Sequence, residues 1–187
     1  MKNIAILASH SGSGLDAIYE AVQNATLKCN IAVVISNNTN AVALQKAEKY
    51  GLKNFLVNAA NSEDPDERLY SILQANNCEY IFLSGYMKKL SPKITQNFKV
   101  INSHPALLPN YGGAGMYGRF VHEAVVRNQE EKSGVTIHEV NENYDEGKII
   151  LQKSFLLQKD ETPQSLETKI KALEKIAIVE GLQLCLN

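Results

Sequence analysis

A chain of 187 residues with 44% apolar and 21% charged residues has the make-up of one globular domain, able to bury ~70% of the surface its unfolded form exposes. A formal net charge of −1 gives no reason to expect nucleic acid or an anionic membrane as partner. There is no apolar run of membrane-spanning length and no signal-peptide core at the N-terminus, so a cytoplasmic protein is expected.

Ile4 to Ala8 is an unbroken apolar run of strand length, the pattern of a parallel strand covered on both faces. Ser9-His-Ser-Gly-Ser-Gly14 follows, and then Leu15, Ile18, Tyr19 and Val22 recur at helical spacing. Strand, glycine turn and helix start bring free N–H groups and the positive end of a helix dipole together, which makes an anion site. Ser11 and Ser13 add hydroxyl donors, and phosphate is the natural guest. Gly12 to Ala17 also fits G-x-G-x-x-A, a dinucleotide fingerprint. That site wants an acid after the second strand, whereas Ile31–Ile35 ends in Ser36-Asn37-Asn38, so a lone phosphate is favoured. A glycine turn serving only close helix–strand packing is the structural alternative.

Asn40 is expected to cap a helix through Lys49, ended by Gly51. A third short strand lies within Leu52–Val57, Asp64-Pro65-Asp66 opens a helix, and Cys78–Leu83 is a fourth strand. Alternating strands and helices argue for an α/β fold: a Rossmann-like, mostly parallel sheet with helices on both faces. In such sheets ligands bind beyond the carboxyl ends of strands, so the segments following strands should gather along one edge. Gly85-Tyr-Met-Lys-Lys-Leu-Ser-Pro92 is one such segment. Cys29, Cys78 and Cys185 are odd in number and form no C-x-x-C, and are expected as buried thiols.

The chemical interest centres on Val100-Ile-Asn-Ser-His-Pro-Ala-Leu-Leu-Pro109. Asn102 and His104 sit just past a strand end, stopped by Pro105, and residues two apart point to one face. A glycine-rich loop, Tyr111 to Gly118, precedes a helix over 119–127 and reads as a mobile or closely packed lid. Ser133–Val140 alternates like a strand with one solvated face, 148–156 is another strand, and an amphipathic C-terminal helix covers about 165–184. Asp145, two residues before Gly147, reads alone as a loop residue.

Together N-S-H-P-A-L-L-P, G-V-T-I-H, Y-D-E-G-K-I-I-L-Q, S-H-S-G-S-G and G-Y-M-K-K-L-S-P resemble the phosphoribosylglycinamide formyltransferase family of folate-dependent enzymes, over nearly the whole chain. The resemblance implies 5-phosphoribosylglycinamide as acceptor and 10-formyltetrahydrofolate as donor, with no metal and a monomer or homodimer. The family's catalytic residues match Asn102, His104 and Asp145. By residue type, Asn102 gives an amide N–H to the oxyanion and His104 a proton or hydrogen bond. Asp145 favours the protonated imidazole and takes up a proton through water. The resemblance implies that the acceptor's phosphate sits on Gly12, Ser13 and Gly14, and Glu174 matches a residue holding the acceptor's amine end, with Lys171 a turn before it. Met87, Lys88, Lys89 and Leu90, with Asn102, Asn143 and Tyr144, match the folate-lining segments. A phosphate-binding half over about 1–85 and a folate and catalytic half over about 86–187 are expected within one domain. The resemblance also suggests a cis Leu108–Pro109 bond.

Three departures stand out. Gly14 replaces the family's usual Asn in the turn, no basic residue stands at Ser62-Glu63-Asp64, and Ala106 replaces a serine after His-Pro. Competing expectations are a formyltetrahydrofolate hydrolase, which usually adds an N-terminal regulatory domain, a methionyl-tRNA formyltransferase, which wants a basic surface and a C-terminal domain, and a sugar-nucleotide formyltransferase, which does not need the phosphate turn. From another class, a non-catalytic dinucleotide-binding module lacks its ribose-holding acid.

Overall fold

The first apolar run forms β1 (Lys2–Leu7), whose last four residues are buried. It pairs in parallel with β2 (Cys29–Ser36) on one side and β4 (Tyr80–Leu83) on the other, and β2 pairs in parallel with β3 (Asn54–Leu56). Between the strands run α1 (Ser13–Gln23), α2 (Val42–Lys49) and α3 (Pro65–Ala75), and α4 (Pro92–Asn97) follows β4. The order continues through β5 (Lys99–His104), α5 (Arg119–Arg127), β6 (Lys132–Glu139), β7 (Ile149–Leu156) and α6 (Pro163–Leu186). One seven-stranded sheet runs β3-β2-β1-β4-β5-β6-β7. β7, joined antiparallel to β6, departs from the α/β pattern that the alternation implied. The computed structural model describes residues 1–186; Asn187, the end of the expected 1–187 domain, lies outside the described residues.

The chain divides into two compact units, Met1–Ile101 and Asn102–Cys185. In the first, Ile4, Ile6, Leu7, Val33, Val34, Ile35, Ile81 and Phe82 form a dry sheet core, with Leu15, Ile18, Ala43, Ala47 and Leu73 from the helices. The α3 start is as the sequence implied: the Asp64 carboxylate accepts from Glu67 N at 3.0 Å and Pro65 fills the first turn. The α2 start is not. Ala41, not Asn40, precedes it, because the Asn38 side chain draws in Asn40 N at 3.1 Å and Ala43 N is satisfied by the His10 carbonyl at 3.0 Å. Cys29 and Cys78 are buried, and burial pushes each thiol up to about 11. Cys185 is only half-buried, contrary to expectation.

In the second unit β6 has no solvated face: Ser133 to His138 are all buried. α6 explains this, since its Gly181 comes so close to Ile137 that an added Cβ would lie 2.8 Å from Cγ2. The strand with alternating exposure is β7. At the start of α6, Thr162 and Ser165 exchange side-chain-to-N–H hydrogen bonds, at 3.0 and 3.1 Å, ahead of an inward stripe of Leu166, Ile170, Ala177, Ile178 and Leu182. Among the described residues no helix is long and apolar enough to cross a membrane.

Candidate active site

β5 does not stop short of the key residues but carries them. Asn102 and His104 are its third-last and last positions, and Pro105 ends the strand. The residues that follow are held by a small polar hub. Thr136 Oγ1, fully buried on β6, donates to the Ala106 carbonyl at 2.7 Å and accepts from Leu108 N at 3.0 Å. Gln152 on β7 donates to the Leu108 carbonyl at 2.9 Å. The Leu108–Pro109 bond is cis, as the resemblance implied.

Four polar side chains meet around the end of β5. The Asp145 carboxylate lies 3.6 Å from His104 Nδ1 through one oxygen and 3.5 Å from His138 Nε2 through the other. Asn102 Nδ2 is 3.2 Å from His138 Nε2. Carbonyl oxygens only accept, and this fixes both imidazole tautomers. His138 Nδ1 donates to its neighbour's carbonyl, Glu139 O, at 2.9 Å, so Nε2 is the acceptor for Asn102. His104 Nε2 donates to Tyr111 O at 2.7 Å, so Nδ1, with its lone pair, faces Asp145. One Asn102 amide hydrogen is thereby held by His138, and the amide is oriented with its second hydrogen to give.

Asp145 itself is fixed. Its backbone is in the left-handed region at φ 57°, and Oδ2 accepts from Gly113 N at 2.9 Å. Gly112 lets the loop lie close, because a Cβ there would lie 2.6 Å from Leu108 Cδ2 and 3.1 Å from Asp145 Cβ and would push both side chains aside. The first residues of the glycine-rich loop are thus closely packed on Asp145. Burial alone would raise this carboxyl; the His138 and His104 rings, when they carry a second proton, together with the Gly113 N–H outweigh it and hold the group below the ordinary carboxylate range. For His104 the balance falls the other way. Burial pushes its pKa down, and the pull of Asp145 and the Tyr111 carbonyl does not overcome it. Asp145 favours the protonated imidazole, as its residue type implied, but burial outweighs that pull, so the net shift is downward and Asp145 is there to receive the charge when a proton arrives.

His138 was missed as a site residue. It was visible only as the last letter of G-V-T-I-H, and a strand histidine reads as core. Its partners, 36 residues away in Asn102 and in the loop at Asp145, give no local signal.

Glu174 on α6 accepts from Ser103 Oγ at 2.6 Å, and burial raises its carboxyl above the usual range despite that bond. Lys171 is exposed and bonds Glu167 a turn back rather than Glu174. Asn143 is exposed and donates to Glu146 Oε2 at 2.9 Å, and Tyr144 is half-exposed.

In the first unit, Gly12 caps α1 with φ 59°, and a Cβ on it would lie 2.9 Å from Ala43 Cβ. Close packing and an open helix end are both present there. Leu15 N returns to Gly12 O at 3.0 Å and Gly14 N donates to Ser84 Oγ at 2.9 Å, so two first-turn donors are already committed. Past β2, Asn37 accepts from Ser9 Oγ at 2.6 Å and Asn38 donates to Ser9 O at 3.0 Å, where a dinucleotide site would need a carboxylate for ribose. Met87 is 45% exposed with its N–H on Ser9 Oγ at 2.8 Å; Lys88 lies 4.0 Å from Asp66, Lys89 is exposed and Leu90 is buried. Among the described residues no group of three or more His, Cys, Asp or Glu is placed to hold a metal ion.

Residues 2–182 match the formyl transferase family. Phosphoribosylglycinamide formyltransferase of Haemophilus influenzae is 34% identical over 179 residues, covering 93% of this chain and 82% of its own. The chloroplastic phosphoribosylglycinamide formyltransferase of Arabidopsis thaliana is 30% identical over 185 residues; the chain spans 63% of that relative's length. The crystal structure of phosphoribosylglycinamide formyltransferase from Bacillus halodurans superposes with a TM-score of 0.90 at 27% identity, covering 100% of this chain and 96% of that one.

Proposed function

This chain belongs to the formyl transferase family, and we propose that it moves the formyl group of 10-formyltetrahydrofolate onto the amine of 5-phosphoribosylglycinamide, a step of purine synthesis in the cytoplasm. The observation that carries this reading is the Asn102, His104, His138 and Asp145 cluster. It offers one aimed amide hydrogen beside a neutral imidazole backed by a carboxylate.

The donor supplies an electrophilic formyl carbon; attack by the acceptor amine places negative charge on the formyl oxygen, and the C–N bond to the donor then breaks. The chain's own groups divide the work. Asn102 gives its second Nδ2 hydrogen to the charged oxygen and does not change its own charge. His104 keeps Nε2–H on the Tyr111 carbonyl, so the ring can turn little and Nδ1 is the working atom. Nδ1 takes a proton from the attacking amine, and Asp145 stabilises the imidazolium formed. The same proton goes to the donor nitrogen as its bond to carbon breaks, leaving His104 neutral again. Preorganised donors of this kind act by not having to reorient as charge develops.

At the other end of the substrate, Ser13 and the hydroxyls of the turn receive the acceptor phosphate at the start of α1. Glu174 receives a donor group of the acceptor nearer its amine. The segment Met87 to Leu90 and the loop at Asn143 and Tyr144 hold the folate.

The test is an assay of the purified protein with phosphoribosylglycinamide and a 10-formyl deazafolate, followed by the absorbance change on deformylation. Formyl transfer dependent on both substrates is expected. Formate release without acceptor would replace the reading with a hydrolase, and thermal stabilisation by NAD alone would replace it with a dinucleotide-binding module.

A further inference from the structure

Between Asn102 and His104 stands Ser103, to which neither the resemblance nor the mechanism assigns a task. Strand alternation turns its side chain to the face opposite theirs. There its hydroxyl meets Glu174, 71 residues on, at 2.6 Å. The position of Glu174 is unusual for an acid. It shares the inward stripe of α6, one turn after Ile170 and one turn before Ala177 and Ile178, all buried. A carboxylate has two oxygens and about four acceptor sites. The Ser103 hydroxyl is the hydrogen bond it has among the described residues, and it uses one oxygen only. The second oxygen, Oε2, has no protein donor among the described residues and is not among the buried polar atoms left without a partner, so it is open to a donor from outside the chain.

We infer that Ser103 is a positioning residue for the acceptor: it clamps Oε1 of Glu174 so that Oε2 is presented to an N–H or O–H donor of the bound ribosylglycinamide. The inference rests on the reading of Glu174 given above. Serine suits the task because a single side-chain torsion aims its oxygen, so little freedom is lost in holding the carboxylate. It also ties the acid to the strand that carries Asn102 and His104. The acceptor's anchor and the groups acting on the formyl carbon are thereby set by three consecutive residues of β5. Ser103 thus acts through Glu174 and touches no reacting atom.

The experiment compares wild type, Ser103→Ala, Ser103→Thr, Glu174→Gln and the Ser103→Ala/Glu174→Gln double variant. Acceptor affinity is read by titration calorimetry with phosphoribosylglycinamide, KM for each substrate by the transfer assay, and folding by thermal melts. Ser103→Ala should raise the acceptor Kd and KM about tenfold, the scale of one hydrogen bond to a charged group, while KM for the formyl donor changes less than about twofold. Ser103→Thr, which keeps the hydroxyl, should restore most of the affinity. In the Glu174→Gln background the alanine should add little, because the two residues act as one unit. The inference is overturned by an unchanged acceptor Kd in Ser103→Ala, by full additivity in the double variant, or by equal loss for both substrates. A wild type that neither binds nor formylates the acceptor is a different pattern and overturns the functional reading beneath it as well.

Discussion

At the amino end of α1 the chain places Gly12, Ser13 and Gly14; at the carboxyl end of β5 it places Asn102 and His104, with His138 and Asp145 against them. The first region is made of backbone. Its shape follows from one left-handed glycine and its charge from a helix dipole, so it can hold an anion without any ionisable side chain. The second is made of side chains brought from a strand end, a neighbouring strand and a loop. Its properties come from burial set against charge: the same surroundings leave His104 neutral and Asp145 ionised. A backbone site binds and does not titrate, whereas a buried imidazole–carboxylate pair can move a proton. The two regions therefore fit the two tasks of the proposed reaction, holding the acceptor and handling the charge that develops on transfer.

Substitutions in the second region should strike turnover hardest. Asp145→Ala should lower kcat by about 10²–10⁴-fold, the range for a positioned acid–base group. His104→Ala should lower it by about 10²–10³-fold. His138→Ala frees the Asn102 amide to rotate, and misplacement of that size costs on the order of 10²-fold. All three should leave KM for phosphoribosylglycinamide less changed than kcat. Retention of normal turnover in either Asp145→Ala or His104→Ala would remove the cluster from the chemistry altogether.

A substitution in the first region should do the reverse. Gly12→Ala puts a Cβ on a left-handed residue, at roughly 1–2 kcal/mol, and into contact with Ala43 Cβ 2.9 Å away. The expected result is a lower Tm and a raised KM for the acceptor, with kcat at saturation close to wild type. A kcat defect as large as that of His104→Ala, with KM untouched, would break the division of labour between the regions.

The same contrast explains what could be read from the sequence. The glycine turn, the Asp64 cap and the apolar strands are local facts, fixed by residues a few positions apart, and they stand where the pattern placed them. Asn40 failed as a cap because another side chain, Asn38, reached the backbone first. β6 looked half-solvated because its alternation of Thr136 and His138 with apolar neighbours does not reveal α6 packed across it. His138 has no signal in its neighbourhood at all, since its meaning lies in Asn102 and Asp145. The net shift of the His104 ring is hidden for a related reason. The charge on Asp145 is written in the sequence, but the burial that outweighs it is not.

Burial of imidazoles also sets how the protein responds to acid, and here the second unit again differs from the first. His10, the histidine of the first unit, is exposed, whereas His104 and His122 in the second are buried with their pKa values pushed below 6.5 by desolvation. His122 also has a buried Nδ1 without a hydrogen-bond partner among the described residues. In the unfolded chain both rings take up a proton near pH 6.5, while the folded protein resists doing so. The unfolded state then binds more protons, so stability rises with pH through this window and falls on acidification from about 6.5 toward the lower folded values. Each unit of displacement is worth about 1.4 kcal/mol per ring. Asp145, held low in the folded state, adds a loss of the same sign in a more acidic window, below its ordinary value of 3.8. Glu174, whose carboxyl burial raises, contributes with the opposite sign, but two rings oppose this one carboxyl, so thermal melts at pH 7.5, 6.5 and 5.5 should show Tm falling. His122→Gln should flatten the slope between pH 6.5 and 5.5, because one of the two resisting rings is gone. A Tm independent of pH across that range, or a slope unchanged by His122→Gln, would show that these imidazoles are not sealed from water in the folded protein.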